Sequence, residues 1–271
     1  MRHATFGLVR ASHPEACAAV TAVAVLLGIS AGGASVRNVL VGAAVLAGQL
    51  SIGWLNDFLD AGRDTAAART DKPIVAGRIR QRTVGVAAVL AGVCCVPLSL
   101  VLGWLAGSVH LLAVGSAWAY DYRLKSTVVS VVPYLVSFGL LPVFVVLAEP
   151  NGHVAWWLPT AGALLGGGAH FANVLPDLAS DAATGVRGLP HRLGAIGGRW
   201  SAALLLVAAA VVLVVGPVGH PVPRLVLASV SVLTLAGGLV IGRRPGSRAA
   251  FNAVLVVALL DVGQLLLADV R

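Results

Sequence analysis

Long uninterrupted apolar runs dominate this chain, and they limit it to a narrow set of folds. Nine of them can be marked out in the 271 residues, at about 16–34, 36–55, 84–102, 104–120, 128–147, 155–175, 200–216, 225–241 and 249–268. A helix rises 1.5 Å per residue and must cross roughly 30 Å of hydrocarbon, so each run has close to the length of a membrane span. The runs are continuously apolar rather than alternating, and inside lipid a helix satisfies its own backbone polar groups. A helical bundle is therefore expected, not a barrel. The third and fourth runs share one stretch interrupted only around 103–107. The predicted fold is all-α: a single domain over 1–271 with nine transmembrane helices.

Charge supports this count. Only 11% of residues are charged, against about 25% in soluble domains. If the N-terminus is cytoplasmic, the inner segments hold sixteen of the nineteen Lys and Arg residues, and only Arg37, Arg224 and Arg271 lie outside. The positive-inside rule then gives a multi-pass cell-membrane protein with a cytoplasmic N-terminus and an external C-terminus. The net charge of +8 does not signify nucleic-acid binding, because the basic residues sit in short loops between spans. Arg2 and Arg10 precede a run long enough to span, so the first run is read as a retained helix. Cys17, Cys94 and Cys95 fall within apolar runs and form neither a disulfide framework nor a metal pair.

The acidic residues carry the chemistry. Of eleven, seven lie at or just beyond inner helix ends: Asp57, Asp60, Asp64, Asp71, Asp121, Asp177 and Asp181. Two segments repeat one pattern, Asn56-x-x-x-Asp60-x-x-x-Asp64 and Asn173-x-x-x-Asp177-x-x-x-Asp181. A spacing of four puts the three side chains on one helical face, one turn apart. Carboxylates so close repel unless a cation sits among them, and Mg²⁺ is suited to bridging one or two carboxylates to a substrate phosphate. A basic loop follows each pattern, with Arg69, Lys72 and Pro73 in one and Arg187, Pro190 and Arg192 in the other. Such loops would hold a diphosphate by charge-assisted bonds, while the apolar bundle takes a hydrocarbon tail. The chain has no GxxxxGK[ST] loop for a nucleotide.

At these residues the chain resembles the UbiA-type intramembrane prenyltransferase superfamily. Asn56 to Asp64 match its first motif, NDxxDxxxD, in full, and Asp177 and Asp181 match its second, DxxxD. Arg69, Lys72 and Pro73 look like its basic loop, and Tyr120 and Lys125 like its third conserved patch. The stretch from Arg187 to Gly194 is similar to the one after its second motif, although Ser180 stands where the family often has Gly.

The resemblance implies Mg²⁺-dependent transfer of a prenyl group from a prenyl diphosphate to an aromatic or quinone-precursor acceptor, at a site opening near the cytoplasmic side. It implies that Asn56, Asp60, Asp64, Asp177 and Asp181 hold the metal, with Asp57 a further catalytic carboxylate. It also implies that Asn56, Arg69, Lys72, Tyr120, Lys125, Asn173, Arg187 and Arg192 contact the diphosphate. The expected partners are the prenyl diphosphate, a lipophilic or aromatic acceptor and membrane lipid, with no nucleic acid. A membrane terpene cyclase with the same metal site is the alternative. An ion-coupled transporter would instead need acidic residues near mid-membrane, where Asp261 is the exception. Each basic residue could also be a topology signal alone, a reading that weighs less for Arg69 and Lys72, more for Lys125, Arg187 and Arg192, and most for Arg78, Arg80 and Arg82. His170 is read as a buried, hydrogen-bonded histidine.

Overall fold

The computed structural model describes residues 2–32, 34–219, 221–241 and 249–268, without the side chains at 2–4, 180 and 239. The topology residues Arg243, Arg244, Arg248 and Arg271, and the Ser180 side chain, lie outside the described residues. Among the described residues the fold is entirely helical. The eleven α-helices are α1 (Arg2–Ala11), α2 (Pro14–Gly32), α3 (Val36–Ala66), α4 (Gln81–Leu100), α5 (Trp104–Tyr122), α6 (Val132–Leu147), α7 (Trp157–Val174), α8 (Leu178–Ala183), α9 (Leu189–Val215), α10 (Val222–Ile241) and α11 (Ala249–Leu267).

Every apolar run coincides with one of the long helices, and α2, α3, α4, α9 and α11 are long and apolar enough to cross a membrane. Large apolar side chains such as Leu90, Val93, Trp104, Leu233 and Leu259 face outward. No soluble surface would tolerate so many, whereas lipid accepts them. This is a membrane protein. Its interior is close-packed around Leu27, Phe144, Leu158, Leu206 and Leu213.

Gly103 explains how two runs are separated by so little sequence. It adopts φ 125°, which favours glycine, and stands at the N-cap of α5, three residues after α4 ends at Leu100. Gly107 then lies so close to the backbone of Ser99 and Leu100 that a Cβ would approach within 2.8 Å. The chain reverses inside one continuous apolar stretch.

Three features depart from the sequence expectations. The extra helix α1 precedes the first run, packing Leu8 and Ala11 against Trp54, Phe58, Ile74 and Ile79. The α3 helix extends beyond its apolar run, so its 31 residues measure about 46 Å and project past the hydrocarbon thickness. The first acidic motif sits on that projection. The second motif is not one regular helix: α7 stops at Val174, a 3₁₀ turn covers Leu175–Asp177, and α8 follows. Pro176 is the cause, because its ring displaces the carbonyl four residues back and it has no N–H to donate.

Candidate active site

Consecutive helical positions point about 100° apart, so the first motif faces two ways. Asn56, Asp60 and Asp64 share one side of α3. Asn56 donates from Nδ2 to Asp121 Oδ1 at 2.8 Å. Asp60 Oδ1 accepts from Lys125 Nζ at 2.6 Å and also pairs with Arg63, one turn along. Lys125 comes from the 3₁₀ turn Leu124–Ser126 after α5 and is only 10% exposed. Asp57 turns away from this set. It is 2% exposed, and its Oδ1 accepts from Lys72 Nζ at 2.7 Å and from His13 Nε2 at 3.0 Å.

The second motif lies on the other wall. Asp177 is exposed and Asp181 half-buried. Burial, followed by the neighbouring Asp177 charge, pushes the Asp181 carboxyl above its ordinary range. His191, largely buried, stands 3.6 Å from Asp181 Oδ2. The two motifs are within electrostatic reach: Asp181 senses Asp60 and Arg63, and Arg69 senses Asp64 and Asp177. A cleft of about 480 Å³ opens beside them, lined by Gly62, Arg63, Ala66 and Ala67 at the end of α3 and by Ala183 and Thr184 after Asp181.

The basic residues fall into two groups. Lys72 and Lys125 are already bound to carboxylates of the first motif. Arg69 is clamped by Asp71 at 3.0 Å, and this bond holds its guanidinium more firmly charged and lowers the Asp71 carboxyl. By contrast, Arg187 and Arg192 stand exposed on the second wall, joined by an Arg192 Nε bond to the Arg187 carbonyl at 3.3 Å.

Aromatic rings gather between the walls, deeper in the bundle. Tyr120 meets Tyr134 edge-on at 5.1 Å and His170 at 5.7 Å, and Tyr134 also packs against His170 and Phe138. Tyr120 senses the charges of both Asp60 and Asp181. Asn173 Nδ2 donates to the Tyr134 hydroxyl at 3.5 Å. His170 is buried and hydrogen-bonded to Ser130 at 3.1 Å, as its sequence reading expected.

Arg63, His13, Tyr134 and His191 join these groups without a role expected from the sequence. Arg63 had a signal, since it follows Asp60 by three residues and so shares its helix face. His13 and Tyr134 arrive from distant elements and carried none.

The donor set suits a hard divalent cation, because the first motif offers the Asp60 and Asp64 carboxylates one helical turn apart and the second adds those of Asp177 and Asp181. Among the described residues no three His, Cys, Asp or Glu side chains converge closely enough to enclose a metal by themselves. That is compatible with Mg²⁺, which takes one or two carboxylates and completes its shell with water and phosphate oxygens. Asp121 Oδ2 is a buried oxygen with no hydrogen-bond partner beside this set.

Solved structures share the fold at low sequence identity. The structure of a UbiA homologue from Archaeoglobus fulgidus bound to GPP and Mg²⁺ superposes with a TM-score of 0.73 at 15% identity, covering 97% of this chain and 99% of that one. The apo structure of a UbiA homologue from Aeropyrum pernix K1 gives 0.68 at 17% identity, covering 97% and 98%. A digeranylgeranylglyceryl phosphate synthase gives 0.72 at 14% identity, covering 100% and 99%. Comparison with curated protein sequences gave no match. The family model described as the UbiA prenyltransferase family matches residues 17–258, nearly the whole chain and both acidic motifs, and the protein belongs to that family.

Proposed function

We propose that this intramembrane prenyltransferase moves a prenyl group from a prenyl diphosphate to a lipophilic acceptor, an aromatic ring or quinone precursor, with Mg²⁺ as its cofactor. The observation that carries the reading is that the two acidic motifs lie within reach of each other's charges, Asp181 of Asp60 and Arg63, and Arg69 of both Asp64 and Asp177, with Lys125 paired to Asp60. Relatives of the same fold bound to GPP or to DMAPP, each with Mg²⁺, support it.

In this reading Asn56, Asp60, Asp64, Asp177 and Asp181 hold the metal, which when bound supplies Lewis-acid stabilisation of charge on the diphosphate. Lys72, Lys125, Arg69, Arg187 and Arg192 neutralise the departing diphosphate, and Asn173 and Tyr120 help to orient it. The rings of Tyr120, Tyr134 and Phe138 present electron-rich faces to a carbocation-like prenyl group. The apolar interior receives the tail and excludes water that would quench the cation. Asp121, rather than Asp57, is the better candidate to take the acceptor's proton, since Asp57 is committed to Lys72 and His13. Nine crossings, with the N-terminus and the cleft on the cytoplasmic side and the C-terminus outside, follow from the loop charges.

Product analysis tests this with the purified full chain, Mg²⁺, prenyl diphosphates of graded length and candidate acceptors. Prenylated acceptor with stoichiometric pyrophosphate is the expected result. A cyclic hydrocarbon formed without acceptor would make the chain a cyclase. No pyrophosphate under any condition would overturn the reading and favour a transporter.

A further inference from the structure

We infer that His13, outside both acidic motifs, is a positioning residue. Through Asp57 it sets Lys72 against the diphosphate site and so locks the N-terminal turn to the basic loop. The inference rests on the proposed transferase site, because it assigns Lys72 to the diphosphate.

Four observations support it. First, Asp57 is buried, and its Oδ1 joins Lys72 Nζ at 2.7 Å and His13 Nε2 at 3.0 Å, with those two nitrogens 3.4 Å apart. A buried carboxylate must be paired, and here one oxygen binds the N-terminal turn and the basic loop together. Second, the turn is docked on the same helix one turn earlier. A Cβ at Gly53 would collide with the Ser12 carbonyl, and Trp54 Nε1 donates to the Leu8 carbonyl at 2.9 Å. Gly53 and Asp57 are four apart and share one face of α3, so backbone contact and ion pair form one continuous seam. Third, His13 is held in the left-handed region at φ 56°, while its carbonyl accepts from the amides of Ala16 and Cys17 at 3.0 and 3.1 Å. A non-glycine residue keeps that conformation only where its surroundings enforce it. Fourth, the Lys72 ammonium, bonded to Asp57 Oδ1 at 2.7 Å, also reaches Asp64 with its charge, so the seam and the next turn but one of the motif share one cation.

A lysine is a flexible four-carbon stem with a mobile charge. Its ammonium can serve a substrate repeatedly from one place only if a partner holds it, and Asp57 with His13 does so. The latch also gives the Asp directly after the motif's Asn a partner set of its own, His13 and Lys72, separate from the partners of Asn56 and Asp60.

Enzyme kinetics on the full chain in detergent, with pyrophosphate release as readout, test the role. His13→Ala is expected to raise KM for the prenyl diphosphate several-fold with kcat little changed, and His13→Gln, which restores a side-chain N–H near Nε2, to recover most of it. In a Lys72→Met background, His13→Ala is expected to have no further effect. Equal His13→Ala effects with and without Lys72 would overturn the inference, as would an unchanged KM. A second readout does not depend on turnover: acylation of the Lys72 amine, followed by peptide mass spectrometry, should quicken several-fold in His13→Ala and not in His13→Gln. An unchanged rate sinks the latch. A faster rate in a chain that releases no pyrophosphate keeps the latch and removes the transferase reading, so the two failures are distinguishable.

Discussion

The two acidic motifs share one spacing and are built in opposite ways. The first lies on an unbroken helix, and most of its polar groups have found partners: Asp60 with Lys125 and Arg63, Asp57 with Lys72 and His13, and Asn56 with Asp121. The second is broken at Pro176 into a 3₁₀ turn and the six-residue α8, and it presents Asp177, Arg187 and Arg192 to the outside. Gly194, at φ 68°, adds a kink just beyond it within α9. Pairing fixes charge in place before a ligand arrives, while breaks in a helix leave the backbone free to adjust to one. Under the proposed function, the first wall is the one whose charges are preorganised, and the second is the one left to adjust to a ligand.

Substitutions that remove this difference have the largest expected effects. Asp60→Asn and Asp177→Asn should each reduce Mg²⁺-dependent pyrophosphate release by at least about 100-fold, the loss that follows removal of a key electrostatic contact. Equal losses would show that both walls hold the same metal–diphosphate unit. Unchanged release in either variant would remove its motif from the chemistry.

Lys125→Met probes the preorganised wall alone. It leaves Asp60 with only Arg63, and kcat/KM should fall about 10- to 100-fold, in line with the roughly 1.5–3 kcal/mol of a hydrogen bond to a charged group. Pro176→Ala probes the broken wall. An amide at 176 can bond to the carbonyl of Ala172, so α7 should extend and carry Asp177 away from its place. Activity should drop about 10-fold while the melting temperature holds or rises. A loss of both would mean that the break serves folding rather than the site.

Asp71→Asn should do least. The Asp71–Arg69 pair is largely exposed, so its removal should cost under about 1 kcal/mol. Arg69 lowers the Asp71 carboxyl below its ordinary 3.8, so the pair stabilises the folded state fully above that pH and is lost as pH falls through the depressed value. The melting difference between wild type and variant, followed down in pH, should persist to about 3.8 and vanish only below it.

Much of this architecture was legible in the chain. Apolar length marked every long helix, because in lipid the backbone leaves only one way to satisfy itself. The fourfold spacing marked two acidic segments that the fold brings within reach of each other's charges. The pairings were not legible. Lys125 meets Asp60 across 65 residues and His13 meets Asp57 across 44. No local spacing encodes such contacts, which arise from how α2, α3 and α5 pack. Nor did the repeated spacing reveal that Pro176 would break one copy, since the identical N-x-x-x-D-x-x-x-D pattern hides a difference that lies between its marked positions. The helix α1 escaped notice because it is short and only half apolar.

The proposed chemistry requires one metal–diphosphate unit held between the two walls. The most direct measurement replaces Mg²⁺ with Mn²⁺, adds a non-hydrolysable prenyl diphosphate analogue, and locates the metal by anomalous scattering in crystals of the full chain. Manganese flanked by Asp60 and Asp64 on one side and by Asp177 and Asp181 on the other, with the diphosphate between, is the predicted result. Manganese bound at one motif only, or the analogue seated away from both, would contradict it.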